Sequence, residues 1–514
     1  MIRKTISILM VLALFASLFA FASAVEPYSI GDVDGNGQIL ADDARLALRA
    51  SAKLEELTEQ QKAAADVDGS GEVLADDARV ILRVSAKLEP VPGEPGEIPA
   101  KPASPDEVLK TAGMETGFDT ENKVLYYHFT LSNTSKYYSV SFPGIMVETT
   151  GEEGGFDFPI IESIRPGEVI ELVGMIYGME TAPSGAKVTI YSVTNYDDNG
   201  NSVPQTVYTL CTGEGSFGAL EVANVRYFQS GVGGKITGTI RNNNSYNVMT
   251  ASVYVLRTDG SGKILSVDGL ETKDSPVTGI PAGKNAAFEL AAEADIGKND
   301  RIVVCTDGSE TDDTFEKVSV DLESSKAALS SSSTLGVVFN AKNSDMENAI
   351  YAPQFRVTAY GAKNASGERT VLGVGYVTAQ IIAPGTTLKI TAEACTVDTK
   401  NERLEVFNIR YVGCSFADKP ASGYKNLTTF DMNIGKDDLG TKVLSGFVSN
   451  PNGNKVKDVT VCLAVYSETG TLLYVNSAMV EEIEKKESAP VDIPVDNEPY
   501  RYEVMVLSWS DVTE

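Results

Sequence analysis

Two stretches near the N-terminus place oxygen-bearing side chains at every second position. These donors are Asp32, Asp34 and Asn36 in the first stretch, and Asp66, Asp68 and Ser70 in the second. A glycine, Gly37 or Gly71, follows directly, and another aspartate stands at the twelfth position, Asp43 or Asp77. A loop that turns sharply at a glycine can aim alternate oxygens inward, and Ca²⁺ takes about six to eight oxygens at short range. The spacing therefore predicts two calcium loops, in which Gln38 and Glu72 each contribute a backbone carbonyl.

The two stretches are copies within an internal duplication. Residues 32–55 and 66–89 differ at 6 of 24 positions. Because two near-identical matches are far harder to reach by chance than one, the duplication makes the calcium pattern specific. Ile39 and Val73 are expected to pair in a short β-bridge between the loops. The acidic segment at 195–202 lacks the rest of the pattern and favours a hairpin turn over a third calcium loop.

After each loop the apolar residues recur at the spacing of a helix. This spacing predicts a loop followed by one helix in each copy. The expected apolar faces contain Ala44, Ala47, Leu48, Ala50 and Leu54 in the first copy, and Ala78, Ile81, Leu82 and Leu88 in the second. Residues 55–65 are rich in helix formers and predict a connecting helix. No helix is expected before Asp32.

This duplicated loop-helix resembles the type I dockerin domain, with the resemblance covering residues 28–89. The resemblance implies a small all-α module that binds two calcium ions and docks onto a cohesin domain of a scaffold protein, as in cellulosomes. The implied calcium ligands are Asp32, Asp34, Asn36, Gln38 and Asp43 in one site, and Asp66, Asp68, Ser70, Glu72 and Asp77 in the other. The implied partner contacts are Ala41, Asp42, Arg45, Arg49, Ala75, Asp76, Arg79 and Arg83.

The sequence departs from the family pattern at several positions, and Ala-Asp at 41–42 and 75–76 replaces the Ser-Thr pair of the best-known dockerins. Leu40 and Leu74 stand where the family usually has Asn, Ser or Thr, and Ser70 replaces a carboxylate or amide, which should weaken the second site. The near-exact duplication would permit docking in two orientations related by a half turn, as the family is known for. The alternative is an ordinary EF-hand pair that buffers calcium, although the missing entering helices disfavour it.

The first residues indicate export. Arg3 and Lys4 precede an apolar run that ends in Ala22-Ser23-Ala24, which predicts a signal peptide over 1–24, with a membrane anchor as the alternative. The chain is expected to be secreted, either extracellular or tethered to the cell surface through a cohesin. The net charge of −28 disfavours nucleic acid and anionic membranes as partners. Five scattered cysteines do not form a disulfide framework, so buried cores are expected to hold the protein together.

The rest of the chain differs in composition. Residues 90–105 contain six prolines and predict a semi-rigid linker. Short alternating runs of β-formers follow, with a strand ending in asparagine at Asn133, Asn242, Asn343 and Asn450. These landmarks predict tandem all-β sandwiches that weakly resemble bacterial immunoglobulin-like modules, although two larger sandwiches are an alternative. The predicted ranges, called modules 1 to 4 below, are 106–214, 215–323, 324–418 and 419–514.

No familiar catalytic motif stands out in the modules. His128 is the only histidine and lies in a strand run, where a structural role is favoured over that of a general base. Trp509 is expected to belong to a core, and Tyr126-Tyr127 and Tyr137-Tyr138 to turn at least one ring of each pair outward. The sequence thus predicts a non-catalytic docking protein in polysaccharide breakdown, without membrane insertion. Two alternatives stay open: a cryptic polysaccharide-active enzyme in 106–514, and an array that binds a glycan or a surface protein.

Overall fold

A computed structural model describes residues 29–86 and 101–511, except 152–153, 197–201, 212–219, 231–232, 271–275, 311–314, 366, 401, 420–424, 438 and 497–498. The predicted signal peptide and most of the predicted linker lie outside the described residues. The chain forms two compact units, of which the first runs to Ala103 and includes Ser135–Ser139 and Tyr208–Gly215. No helix of the described part is long and apolar enough to cross a membrane.

The first unit contains three helices: α1 (Ala41–Ser51), α2 (Glu59–Ala65) and α3 (Ala75–Ser85). No helix lies between Ser29 and Leu40, as predicted. The connecting helix begins at Glu59 rather than at residue 55 because Thr58 caps it. Its hydroxyl accepts the amide of Gln61 at 3.3 Å, while the side chain of Gln61 accepts the amide of Thr58 at 3.0 Å.

The predicted apolar faces of α1 and α3 are partly wrong. Ala44, Ala47, Ala78 and Ile81 are buried in the core of the unit, but Leu48 and Leu82 are each 51% exposed, and Leu54 is exposed as well. The core contains four alanines, the loop residues Val33 and Val67, and three larger residues, Ile30, Leu57 and Ile81. Close helix packing through alanine therefore leaves the longer leucine side chains on the outside.

The remainder is mostly β-structure, which confirms the predicted all-β character of this part. Module 1 contains β1 (Leu109–Asp119), β2 (Val124–Asn133), β3 (Tyr138–Ser141), β4 (Pro143–Thr150), β5 (Phe156–Asp157), β6 (Ser163–Ile164), β7 (Val169–Tyr177), β8 (Gly185–Ser192), β9 (Thr194–Tyr196), β10 (Ser202–Pro204) and β11 (Val207–Leu210). Module 2 contains β12 (Leu220–Ser230), β13 (Gly233–Asn242), β14 (Val248–Thr258), β15 (Ile264–Asp268), β16 (Val277–Ile280), β17 (Asn285–Ala292) and β18 (Arg301–Cys305).

The last two modules continue the pattern. Module 3 contains β19 (Val318–Leu329), β20 (Thr334–Asn343), β21 (Ala349–Tyr351), β22 (Gln354–Lys363), β23 (Arg369–Thr378), β24 (Thr387–Thr396), β25 (Val406–Gly413) and β26 (Phe416–Asp418). Module 4 contains β27 (Thr428–Lys436), β28 (Lys442–Ser449), β29 (Val456–Tyr466), β30 (Leu472–Ile483), β31 (Ser488–Pro494) and β32 (Arg501–Asp511). Strand β19 crosses the predicted boundary between residues 323 and 324.

The same strand order recurs in all four modules. One sheet has the orders β1-β2-β7, β12-β13-β17, β19-β20-β24 and β27-β28-β31, and its counterpart has the orders β5-β4-β8, β15-β14-β18, β23-β22-β25 and β30-β29-β32. The first hairpin of each module carries a register shift, at Ala112/Glu115, Ala223/Arg226, Asp321/Lys326 and Phe430/Asn433. Core side chains join the two sheets, as in module 3, where the rings of Phe339 and Phe355 lie 5.1 Å apart. The architecture is therefore a repeated, sandwich-like pair of three-stranded sets. Strands β7 and β18 pair in parallel, which joins one sheet of module 1 to one sheet of module 2.

Polar contacts fix one module against the next within the second unit. The Arg165 guanidinium pairs with Glu310 between modules 1 and 2. Thr237 donates its hydroxyl to the carbonyl of Val371, 2.7 Å away, between modules 2 and 3. Gln380 performs the same role between modules 3 and 4, where its side chain contacts the backbone of Leu427. The successive sandwiches are thus held by specific buried contacts.

Candidate metal centre

The first predicted calcium loop is closed by its own aspartates. Asp32 accepts the backbone amides of Asn36 and Gly37 at 3.0 and 2.8 Å, one on each carboxylate oxygen. Asp43, which is 0% exposed and lies in the first turn of α1, accepts the amides of Asp34 and Leu40 at 3.0 and 2.8 Å. Asp43 therefore connects the loop to the start of the helix.

The second loop repeats this arrangement. Asp66 accepts the amides of Ser70 and Gly71 at 3.0 and 2.8 Å. Asp77, in the first turn of α3, accepts the amide of Leu74 at 2.7 Å with one oxygen and that of Val67 at 3.0 Å with the other. The amide of Asp68 also donates to Asp77, at 3.3 Å, as that of Asp34 does to Asp43. The equivalent aspartates of the two copies thus accept equivalent backbone amides.

Three carboxylates converge in each loop. One oxygen each from Asp32, Asp34 and Asp43 lies within 4.8 Å of the others, and the same holds for Asp66, Asp68 and Asp77. Two oxygens bound to one Ca²⁺ at about 2.3–2.6 Å are separated by at most roughly 5 Å, so this spacing suits a shared calcium ion. The donors are all hard oxygens, and the residues present therefore fit the ion that the sequence predicts.

The electrostatics of the second loop favour a bound cation. The pKa of Asp77 is raised to about 6, chiefly by burial and also by the charges of Asp68 and Asp66, against the opposing effect of the amides that the carboxylate accepts. Burial also raises the pKa of Asp66, with a further contribution from the neighbouring Asp68. Buried carboxylates that repel one another are stabilised when a positive charge is placed between them.

The remaining predicted ligands lie in the same loops but differ between the copies. The Asn36 side-chain oxygen accepts the amide of Gln38 at 2.8 Å, and its side-chain nitrogen donates to Asp34 at 2.9 Å. In the second loop the Ser70 hydroxyl donates to the carbonyl of Glu72 at 3.0 Å. The Glu72 carbonyl, predicted to be a backbone ligand, is thus in contact with the predicted ligand Ser70.

The predicted β-bridge between the loops is not formed. Ile39 and Val73 lie outside any strand or bridge, and their half-buried side chains pack against the core of the unit instead. The next amide along the chain in each copy, that of Leu40 or Leu74, donates to the helix aspartate. The link between the copies is therefore made by apolar packing.

All eight predicted partner-contact residues are exposed on or at the start of the two loop-following helices. Arg45 lies 3.3 Å from Asp42, and its counterpart Arg79 lies 3.6 Å from Asp76. The exposed Leu48 and Leu82 occupy equivalent positions on the same helices, and sequence reasoning missed them as surface residues. Helical periodicity alone gave no signal for their exposure.

The histidine and the tryptophan that the sequence singles out in the β-modules contact neighbouring side chains. His128 is buried, and its ring nitrogens lie 3.2 Å from Glu115 and 2.5 Å from Glu171. Trp509 packs against the core of module 4, as predicted, and donates to Gln380 at 3.2 Å. Of the four tyrosines in question, Tyr127 is buried and Tyr126, Tyr137 and Tyr138 are half-buried.

Two further predictions concern loops and thiols. The strands β9 and β10 pair antiparallel on either side of the acidic segment at 195–202, as a hairpin requires, while residues 197–201 lie outside the described part. All five cysteines are free thiols, so Cys395 and Cys414 are not bridged. A scan of the chain against protein-family models matches no family, and a search among curated proteins finds no match.

Proposed function

We propose that this protein is a calcium-dependent docking protein of the dockerin type. Residues 28–89 bind two calcium ions and attach to a cohesin domain of a scaffold protein. The observation that carries the proposal is the convergence of three carboxylates in each of two equivalent loops. Bound calcium would neutralise these carboxylates. The secreted chain would then carry immunoglobulin-like, non-catalytic modules to a cellulosome-like or cell-surface assembly that acts in polysaccharide breakdown.

Asp43 and Asp77 connect metal binding to the docking surface. Each carboxylate faces its loop while it accepts the amide of Leu40 or Leu74 at the start of a helix. A ligand set that includes these residues fixes the direction in which α1 or α3 leaves the loop. The outer faces of those helices carry the proposed cohesin contacts, so calcium binding orders the surface that the partner recognises.

The proposed docking surface is present twice. Leu48 and Leu82 provide an apolar centre on each helix, and Arg45, Arg49, Arg79 and Arg83 provide a charged border. Apolar centres within a polar border are typical of protein interfaces. Because the two copies are nearly identical, one cohesin could bind through either helix, in orientations related by a half turn.

Binding of the chain without residues 1–24 to an immobilised type I cohesin domain tests the proposal. We expect binding with calcium and its loss with EDTA or in the Asp32→Ala plus Asp66→Ala variant. The matched control is Asp119→Ala, because Asp119 also accepts backbone amides in a turn, from Glu121 and Asn122, outside both loops. Undiminished binding by the double variant would refute the docking mechanism.

A cleft between modules 1 and 2 supports the enzyme alternative as a second candidate. Its volume is about 720 Å³, and its lining includes Glu168, Glu171 and Asp300. Each carboxylate already has a protein partner: Tyr246 for Glu168, His128 for Glu171 and Arg257 for Asp300. A polysaccharide activity screen and a glycan array on the full chain, each repeated with Glu171→Gln, would distinguish an enzyme from a binding array.

A further inference from the structure

Three polar side chains form a row across one sheet of module 3. Tyr376 on β23 pairs with Arg356 on β22, and Arg356 pairs with Arg410 on β25. Directly opposite residues of antiparallel strands project from the same face of the sheet, so the three side chains are neighbours. The alternate residues Phe355 and Val357 lie in the core of module 3. The row therefore projects from the opposite face.

That face is covered by module 2. The Arg356 guanidinium donates to the carbonyl of Thr278 on β16 at 2.9 Å, and only 4% of Arg356 is exposed. Further contacts close the junction around the row. The amide of Val374 donates to Glu289 at 3.0 Å, next to the bond between Thr237 and Val371. The row thus lies at the junction of two modules that contact each other directly.

The polar groups of the row lack partners of opposite charge. In the part of the chain that the structure describes, Arg356 makes the one hydrogen bond to Thr278, and Arg410 makes no hydrogen bond or ion pair although it is half-buried. The hydroxyls of Tyr376 and Thr278 are buried at the same place and have no hydrogen-bond partner either. Two guanidinium groups and two hydroxyl groups therefore have unused donors.

Such an arrangement is unfavourable by itself. Like charges directly opposite each other on neighbouring strands destabilise a sheet, and a buried charge is tolerated when it is paired. Burial lowers the pKa of Arg410, and the charge of Arg356 lowers it further. An anion placed between the two guanidinium groups would remove the repulsion and would accept the free hydrogen bonds.

We propose that Arg356, Arg410, Tyr376 and Thr278 form a binding site for a small oxyanion at the junction of modules 2 and 3. The planar guanidinium group matches the paired oxygens of carboxylate, sulfate and phosphate, which makes arginine well suited to such ligands. Thr278 belongs to module 2 and the other three residues to module 3, so the bound anion would also hold the modules together.

The local composition supports this site in an otherwise acidic chain. Residues 324–418 contain nine lysine and arginine residues and eight aspartate and glutamate residues, whereas the whole chain has a net charge of −28. An anion that approaches module 3 consequently meets much less repulsion than it meets elsewhere on the protein.

Titration calorimetry on the chain without residues 1–24 tests the proposal. Sodium sulfate, phosphate and acetate are titrated separately at constant ionic strength, with chloride as the background ion and two equivalents of calcium present. We expect saturable binding of one anion per chain for at least one titrant, and at least a tenfold loss of affinity in Arg410→Gln. The matched control, Arg241→Gln, removes an exposed arginine and should bind like the unchanged protein. Absence of saturable binding with all three titrants, or equal affinity in Arg410→Gln, would overturn the proposal.

A second variant tests the hydroxyl without changing the charge. Tyr376→Phe removes an oxygen that has no partner, so the unfolding midpoint in chloride buffer should be unchanged. If that hydroxyl donates to the anion, the variant should bind it several-fold more weakly. Full affinity in Tyr376→Phe would contradict the four-residue site. Circular dichroism of each variant shows that it is folded. Because no cohesin is present in the calorimetry, the measured anion affinity does not depend on the docking proposal.

Discussion

The side-chain amide of Asn343 donates to the backbone carbonyl of Ile382, 3.1 Å away, and ties the end of β20 to the segment before β24. It also donates to the carbonyl of Asn348 at 2.8 Å, while its backbone amide donates to Thr386. Equivalent buried asparagines in the other modules bond in the same manner: Asn133 to Ile164, Asn242 to Ile280 and Asn450 to Ile483. The repeated asparagine is therefore a structural tie between the end of the second strand of a module and a later segment of the same module.

Replacing this tie should destabilise module 3 strongly. Asn343→Ala removes the side-chain hydrogen bonds to the carbonyls of Asn348 and Ile382, of which the second keeps the amide of Ile350 as a donor. We expect a loss of about 2–4 kcal/mol in the free energy of unfolding of that module. Urea unfolding followed by circular dichroism measures the loss. The control is Asn340→Ala, since Asn340 is only half-buried and makes a single long bond of 3.5 Å to Ser324. Equal losses in both variants would contradict the proposed role of Asn343.

Removal of calcium should unfold the loop-helix unit and leave the β-modules folded. Without a cation the three carboxylates of each loop repel one another, and metal binding is coupled to folding in such sites. The three α-helices of the described chain lie in this unit, so EDTA should reduce the helical signal in far-ultraviolet circular dichroism. Trp509, the only tryptophan, reports on module 4, and its fluorescence should be unchanged. An unchanged helical signal would exclude the calcium assignment.

The two calcium sites should differ in affinity because their third donors differ. Asn36 offers an amide oxygen that is held by the amide of Gln38, whereas the Ser70 hydroxyl donates its hydrogen to Glu72. We expect Ser70→Asn to tighten the weaker site by about 1 kcal/mol, or roughly fivefold, and to make the two sites alike. Titration calorimetry with calcium measures both affinities. The reverse change, Asn36→Ser, should weaken the tighter site by a similar factor. An unaltered affinity in both variants would argue against Asn36 and Ser70 as calcium ligands.

The sequence predicted the features that depend on residues close together along the chain. The alternating oxygens of each loop appear in the structure as converging carboxylates because loop and helix start lie within twelve residues. The asparagine landmarks were visible as a repeat, although their bonding partners were not. The exposure of Leu48 was missed because helical periodicity alone does not distinguish a core face from a second apolar face. The pairing of Arg356 with Arg410 could not be predicted, since it depends on strand register across 54 residues.

The cysteines should divide into two classes of reactivity. Burial raises the pKa of Cys395 and of Cys462 to about 12, and it raises the pKa of Cys305 as well. The thiolate is the reactive form, so these three thiols should resist iodoacetamide in the folded protein. Cys211 and Cys414 are half-buried and should be alkylated first. Mass spectrometry of peptides from native and urea-unfolded protein measures the difference, and uniform labelling in the native state would contradict it.

Gln380 should couple the unfolding of modules 3 and 4. Its side-chain oxygen accepts the amide of Leu427 at 2.8 Å and the indole N–H of Trp509 at 3.2 Å, and its nitrogen donates to Val506 at 2.7 Å. Gln380→Leu removes these three hydrogen bonds, so we expect a loss of about 2–4 kcal/mol at the junction. The unfolding transition detected by Trp509 fluorescence should move to lower urea concentration and separate from that of module 3. The control is Gln229→Leu, because Gln229 is exposed. A shared, unshifted unfolding transition in Gln380→Leu would show that apolar packing alone couples the two modules.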